Sequence, residues 1–592
     1  MKKKILIIII ILIIVIATFI GLNFNKREKI DEWIYNNLLF SSSNSGTSSG
    51  TMSLESISSS SFTASASDSS RAVSSINKNL GFAVGGSKDI KNFRENVNNG
   101  YFPISTDITY NGIFYDYSFD TGNAESNTKD LFYPSYSTAI SKDVFSGKNE
   151  YYMSVGLNSN IKQSDFKRPK LNLVVVLDNS GSMSSSFDSY YYDGNTSLFE
   201  TYKTKMQIAN NSINILLDHL NQDDRFGMVI FNSSGQIAKN LSELEDTDIK
   251  SLKKHIAEIN ATGGTNFEDG YKKALSVFES FGENDETYEN RIIVLTDAMP
   301  NMGNYSTNSL MNMVENSSKN KIYTTFIGIG VDFNTELIEK IGTVEGANYY
   351  SVHNEEEFEA QMGKDFDYMV TPLVFDLNLD FLSNDFEVAS VYGTDIENNK
   401  NGNIIHVNTL FPSARNDNDE VKGGIILLKL NKNNLTDNGE VTLKVSYRDS
   451  KNEYHQNEQN ITFIENDKEF YDNTGIRKAI VLTRYVNILK DWILYERANK
   501  NKQYLIDDTS GILEYNYTEN DIYSVLGEHE RASVNLTVSE EYKEILEEFK
   551  THFESEIKEI KDNSLKQEIK VIDKLIDAPK PLTKIWNTLW DL

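Results

Sequence analysis

Cysteine is absent from the 592 residues. That removes disulfide scaffolds, thiolate metal sites, cysteine nucleophiles and a lipidated N-terminal cysteine together. Basic residues are in deficit: 58 Lys and Arg stand against 86 Asp and Glu, a formal net charge of −28. A surface so acidic repels polyanions, which argues against general nucleic-acid binding. The seven histidines (His219, His255, His353, His406, His455, His529, His552) are scattered, and His529 has no second histidine at the spacing of a zinc-protease helix. No Gly-Lys-Ser/Thr phosphate loop occurs, Gly328-Ile329-Gly330 lacks a third glycine, and no serine, histidine and acid group together. Asp417-Asn418-Asp419-Glu420 lacks the glycine and distal glutamate of an EF-hand and reads as a solvated acidic turn. These absences point to a chain that is not an enzyme.

Long apolar runs are lacking too, with one exception. Three lysines, Lys2 to Lys4, precede Ile5–Leu22, 18 residues without a charge. At about 1.5 Å per residue a helix of that length covers roughly 27 Å, close to a ~30 Å hydrocarbon core. A cleaved secretory signal has a shorter apolar region and a small-x-small cleavage site, and Ala17-Thr18-Phe19-Ile20-Gly21 is a poor one. Residues 5–22 are read as a retained transmembrane anchor, 1–4 as a short basic tail inside the cell, and the bulk of the chain as extracytoplasmic at the cell membrane. Ser41–Ser75 contains 18 serines and three charges. Such a stretch cannot bury enough apolar area to offset its ordering entropy, so 23–80 is expected to be a flexible tether.

The rest has the means to build cores, at 39% hydrophobic and 11% aromatic residues, and the length for several domains. Residues 81–170 read as β-rich. Within them Asp107–Asp120 alternates around an Asn111-Gly112 turn signal, and Tyr151–Leu157 is a strand run. From 171 to 370 strand-length apolar runs (Leu171–Leu177, Phe226–Phe231, Ile292–Leu295, Ile322–Ile329) alternate with segments of helical period. Examples are Met206, Ala209, Ile213, Leu216, Leu217 and Leu220, then Tyr271, Ala274, Leu275 and Phe278. That alternation predicts a doubly wound, mostly parallel α/β sheet. Residues 371–465 return to β patterns, as in Gly424–Leu430 and Val441–Tyr447, and 466–592 read as helical, with Arg477–Lys500 and Ser539–Lys561 as long amphipathic stretches.

In an open parallel sheet ligands bind outside the carboxyl ends of the strands. There, Leu171–Leu177 ends in Asp178-Asn179-Ser180-Gly181-Ser182, and Ile292–Leu295 ends in Thr296-Asp297. Between them Thr262-Gly263-Gly264-Thr265-Asn266 precedes a helix. Asp178, Ser180, Ser182, Thr265 and Asp297 thus gather hard oxygens, without nitrogen or sulfur, at one sheet end, a set suited to Mg²⁺, with Mn²⁺ or Ca²⁺ as alternatives.

This pattern resembles the complete metal-ion-dependent adhesion site of von Willebrand factor type A domains. The resemblance covers about 200 residues, 171–370, of the 592. It implies a Rossmann-like fold, direct ligation by Ser180 and Ser182, ligation by Thr265 directly or through water, and Asp178 and Asp297 acting mostly through water. It also implies an open coordination position for the carboxylate of a partner's Asp or Glu. Residues 81–165 resemble the segment before that domain in bacterial membrane-anchored proteins of the calcium-activated chloride channel-like and α2δ-like type. If the flanks pair, 81–165 and 371–465 would form one sandwich with the metal domain inserted.

The loop Phe187–Phe199 carries Tyr190, Tyr191 and Tyr192 beside the first metal loop and has two readings, a partner-binding rim or, in preference, local packing of an insertion over the domain. The expected function is surface interaction or adhesion through the metal. An accessory subunit of a transporter, channel or envelope complex in the same membrane is the alternative, and a metal-dependent hydrolase a remote one.

Overall fold

Every residue of Lys170–Asp178 but the first is buried, and five of its nine residues are Val or Leu in unbroken succession, Leu173 to Leu177. A strand with no solvent-facing side must lie in the middle of a sheet covered on both faces. That is its position in the computed structural model, which describes residues 78–122, 130–193, 203–281, 287–363, 365–394, 404–433, 438–464, 468–507 and 526–581. The apolar run 5–22, most of the serine-rich segment and residues 194–199 of the tyrosine loop lie outside the described residues. Among the described residues no helix is long and apolar enough to cross a membrane.

The central sheet has seven strands: β1 (Gly86–Ser87), β2 (Lys170–Asp178), β3 (Arg225–Phe231), β4 (Gly235–Glu243), β5 (Tyr288–Thr296), β6 (Ile322–Ile329) and β7 (Asn348–Val352). Their order is β1-β7-β6-β5-β2-β3-β4. All neighbours are parallel except β3 and β4. β1 belongs to the segment read as a separate β-rich region, yet it extends the edge of this sheet beside β7.

Seven helices cover the two faces: α1 (Lys205–His219), α2 (Ile249–Ala257), α3 (Phe267–Phe281), α4 (Thr307–Lys319), α5 (Thr335–Gly342), α6 (Glu355–Gly363) and α7 (Phe366–Val370). Leu171, Leu173, Val175 and Leu177 of β2 pack into a core with α1, α6 and α7. Val174 and Val176 point to the opposite core with α3, α4 and α5. The alternation is the period-two geometry of a strand.

The flanking β segments pair with each other. Gly81–Val84 run antiparallel to Leu410–Ser413, and Ile425–Leu430 run antiparallel to Tyr151–Gly156. Both belong to a ten-stranded sheet. Phe82, Val155, Leu377, Leu410, Leu428 and Leu443 share its core. The turn at 142–148 is closed locally, with Ser146 N donating to Asp143 Oδ1 at 2.7 Å.

One expectation fails. Asp107–Asp120 is not a hairpin: Tyr110–Asp116 is a helix, and Asn111-Gly112 lies inside it. Thr109 Oγ1 accepts from Gly112 N at 2.9 Å, an N-cap. A Cβ at Gly112 would sit 2.0 Å from Asp89 O, so the glycine serves close packing rather than a turn.

The C-terminal region contains α8 (Thr474–Asp507), α9 (Glu540–Ile560) and α10 (Lys566–Asp577). Trp492 of α8 is fully buried, edge-on to Phe102 with centroids 5.1 Å apart. Glu568 of α10, also fully buried, accepts from Arg94 and from Tyr117 OH at 2.6 Å. Between α8 and α9 the chain makes a turn at 527–530, with Glu530 N donating to Gly527 O at 3.1 Å, and then runs on past Gly100 and Phe102, where Leu536 N donates to Gly100 O at 2.7 Å and Phe102 N to Val534 O at 2.8 Å.

Candidate metal centre

The first loop is turned by Asp178 itself, whose Oδ1 accepts from Ser180 N at 2.9 Å. The hydroxyls of Ser180 and Ser182 then lie 3.1 Å apart. The second loop is sewn to the first by backbone bonds, Gly181 N to Gly263 O at 2.9 Å and Thr262 N to Asn179 O at 2.8 Å. A Cβ at Gly181 would stand 3.1 Å from Gly263 O and 3.3 Å from Tyr191 OH, so a larger residue would crowd this junction.

The third loop closes the arrangement. Thr296 Oγ1 donates to Asp178 Oδ2 at 2.6 Å and accepts from Ala298 N at 2.8 Å. Ala298 takes a left-handed φ of 58°, uncommon for a residue with a Cβ. Asn301 binds Thr265 twice: its Oδ1 accepts from Thr265 N at 2.9 Å and its N donates to Thr265 O at 3.0 Å. All five predicted residues are buried at this end of the sheet.

The electrostatics are those of a site with excess negative charge. Burial, with the charge of Asp297 added, pushes the Asp178 carboxyl up to about 7. Asp297 Oδ2 is 3.0 Å from Lys205 Nζ, which also lies 2.6 and 2.7 Å from the two oxygens of Asp332. Burial alone would lower the Lys205 pKa; the two carboxylates outweigh it and hold it above its usual value. The other oxygen, Asp297 Oδ1, is buried with no hydrogen-bond partner. A buried carboxylate oxygen without a donor, at a sheet end where Ser180, Ser182 and Thr265 are buried too, fits a hard divalent cation.

Lys205 and Asp332 were not singled out from the sequence. Asp332 lies just beyond the end of β6, where the rule that picked out Asp178 and Asp297 also applies. Lys205 opens an amphipathic helix and carried no signal beyond its charge.

The three tyrosines divide between packing and exposure. Tyr190 is buried, stacks edge-on to Tyr101 at 5.1 Å and donates to Asn96 Oδ1 at 2.8 Å. It packs the loop down and faces no partner. Tyr191 is 39% exposed and Tyr192 half-buried, and these two remain toward the site. Tyr192 OH donates at 2.6 Å to Glu530 Oε1, which also accepts from Asn301 Nδ2 at 2.8 Å. Glu530 comes from the C-terminal segment between α8 and α9 and had no sequence signal at all.

A family model described as von Willebrand factor type A domain matches residues 172–364. The match spans β2 to α6 and with it all three loops of the centre. The α/β body is a von Willebrand factor type A domain. Sequence relatives carry the same region. Human inter-alpha-trypsin inhibitor heavy chain H4 is 24% identical over 220 residues, 36% of this chain and 22% of that one. The mouse heavy chain H2 is 23% identical over 214 residues, 36% of this chain and 21% of the relative. The chain thus spans about a fifth of the length of the curated relatives it matches.

Among solved structures, the von Willebrand factor type A protein from Catenulispora acidiphila aligns at 15% identity and a TM-score of 0.35, covering 58% of this chain and 76% of that one. The ArnB paralog VWA2 from Sulfolobus acidocaldarius aligns at 13% identity and a TM-score of 0.32, covering 75% of this chain and 97% of its own. Domains of this type commonly bind a divalent metal and mediate protein–protein interaction. In this one, Asp178, Ser180, Ser182, Thr265 and Asp297 are buried in the three loops at the carboxyl end of the sheet.

Proposed function

We propose that this chain is a membrane-anchored extracytoplasmic binding protein whose von Willebrand factor type A domain captures an acidic side chain of a protein partner through a divalent ion, Mg²⁺ in the first place. The reading is supported by one observation: the buried Asp297 Oδ1 has no donor, in a carboxylate whose charge acts on Asp178 at the head of the Ser180–Ser182 loop. The bound ion supplies a positive charge with room for an outside carboxylate. The chain's own residues set how strongly it attracts one. Ser180, Ser182 and Thr265 are neutral and leave the charge incompletely balanced. Asp178 is held by Thr296 and Ser180 N, and Asp297 by Lys205, so both acids are partly satisfied from behind.

The test is calorimetry of Mg²⁺ binding with a pull-down from membranes and culture medium in Mg²⁺ and in EDTA. Ser180→Ala and Ser182→Ala should abolish Mg²⁺ uptake and Mg²⁺-dependent capture while the melting temperature without metal stays close to that of the parent. Capture that persists in EDTA, or parent protein that takes up no Mg²⁺, Mn²⁺ or Ca²⁺, would overturn the reading. Residues 5–22 as the anchor are tested separately, by carbonate-resistant membrane association lost on their deletion.

A further inference from the structure

The segment at 526–538 crosses the domain beside the loops that follow β5 and β6 and is clamped on both sides of Glu530, which closes its turn through Glu530 N to Gly527 O at 3.1 Å. On one side His529 O accepts from Asn334 Nδ2 at 2.9 Å, and His529 Nε2 lies 2.8 Å from Tyr305 O. On the other, Arg531 Nη1 donates to Phe333 O at 2.5 Å and Ser533 Oγ donates to Asp193 Oδ2 at 2.8 Å. His529, Arg531, Ala532 and Ser533 are all buried. These anchors belong to the loops that follow β6 and β5 and to the tyrosine loop, so Glu530 is presented at a fixed place over the rim.

What holds the Glu530 carboxylate is unusual for a charge. Its three donors are neutral: Tyr192 OH, Asn301 Nδ2 and, on Oε2, Gly527 N at 2.7 Å. Among the described residues no basic side chain pairs with it. One of those donors leads straight into the centre, because the same Asn301 accepts from Thr265 N through Oδ1. A single amide therefore connects Glu530 to a predicted metal ligand. Half-buried anions on neutral donors are incompletely compensated, and the Tyr192 hydroxyl that holds Glu530 also lies within reach of the charge of Asp297 in the centre.

We propose that Glu530 is an internal acidic occupant of this site: the chain's own carboxylate stands in the approach that a partner's acidic side chain must use, and capture requires the 526–538 strap to lift. The inference rests on the metal-site reading above and adds to it a built-in competitor. It follows that the metal tightens the strap, and that an outside carboxylate loosens it only when metal is bound. Apparent affinity for a partner is reduced by the fraction of molecules with the strap down.

The test uses the full chain, with Mg²⁺ and acetate as probes, hydrogen–deuterium exchange across 526–538 as the readout, and calorimetry to register Mg²⁺ uptake. In the parent protein Mg²⁺ should slow exchange of the strap by about tenfold, and excess acetate should reverse this in Mg²⁺ but not in EDTA. Glu530→Gln keeps an oxygen that can accept from Tyr192 and Asn301 but loses the charge. It should bind Mg²⁺ without the slowing, and should bind acetate in Mg²⁺ about tenfold more tightly than the parent. Mg²⁺ uptake with equal slowing in parent and variant, or with none in the parent, overturns the internal occupant and leaves the metal centre standing. Absence of Mg²⁺ uptake in both removes the centre and this inference with it.

Discussion

Lys205 carries an ammonium with no exposure, set between two carboxylates that also have none. Desolvating three charges is costly, and their attraction offsets the cost only while all three are present. Lys205→Met should therefore leave Asp297 and Asp332 as adjacent, uncompensated buried anions. The expected loss of stability is about 3–5 kcal/mol, read as a lower denaturation midpoint in urea without metal. A change below about 1 kcal/mol would show that the two acids are protonated in the folded state and that Lys205 contributes packing alone. Because the Lys205 pKa is raised, its contribution is fully present below the ordinary lysine pKa and is lost only as pH rises through the folded value, so it does not vary near neutrality. This residue also shows where reading the sequence stopped. Hydroxyls and acids at strand ends are visible because strands announce their ends; a lysine at the start of α1 looks like any solvated helix residue until the fold buries it.

At the scale of elements, α6 is tied to the end of β7 by His353 and Glu357. Glu357 Oε2 accepts from His353 N at 3.1 Å and lies 3.5 Å from His353 Nδ1, while Asn92 Oδ1 faces Nε2 at 3.3 Å. Burial by itself would lower the imidazole pKa. The Glu357 carboxylate 3.5 Å from Nδ1 and the charges of Asp89 and Glu95 outweigh it, and the net shift is upward. Glu357 is pulled down to about 2 although its burial acts upward, by His353 and then by Lys91 at 4.0 Å. The raised histidine stabilises the fold fully below its unfolded pKa and ceases to do so as pH rises through the folded value; the depressed acid ceases to contribute as pH falls toward about 2. As pH rises from about 6 through the raised value of the histidine the parent should lose stability from this pair, read as a falling denaturation midpoint, and exchange in α6 should quicken, while His353→Gln stays flat. An equal slope in the variant would assign the pH dependence elsewhere. Elements were otherwise legible wherever one period ran long enough: β6 was read at Ile322–Ile329, its observed span. Tyr110–Asp116 was misread because its apolar spacing over seven residues suits a strand as well as a helix, and the deciding contacts, the Thr109 cap and the Asp89 carbonyl against Gly112, are tertiary or side-chain events.

For the whole molecule, what the sequence concealed is distance. Gly81 pairs with Ser413 and Arg94 with Glu568, contacts that no local pattern encodes, and Glu530 reaches Tyr192 and Asn301 from a non-helical stretch of a region that reads as helical. Charge, in contrast, was legible from the start, and it sets a paradox for a protein proposed to capture acidic groups. At −28 the molecule repels an anion at long range, whereas the centre attracts one at contact. The two act on different lengths: the Debye length is about 30 Å at 0.01 M salt and about 8 Å at 0.15 M. Salt therefore screens the repulsion of the whole surface before it weakens an ion–carboxylate contact of a few ångströms. For a synthetic peptide with one Asp in an otherwise acidic sequence, the association rate in Mg²⁺ should rise several-fold between about 0.01 M and about 0.15 M NaCl. A peptide with the same Asp flanked by lysines should show the opposite slope, because the surface then steers it in. Stopped-flow measurement of both peptides gives the two slopes. A falling rate for the acidic peptide would mean that the face around the centre is locally positive despite the net charge, and that net charge is the wrong guide to which partners arrive.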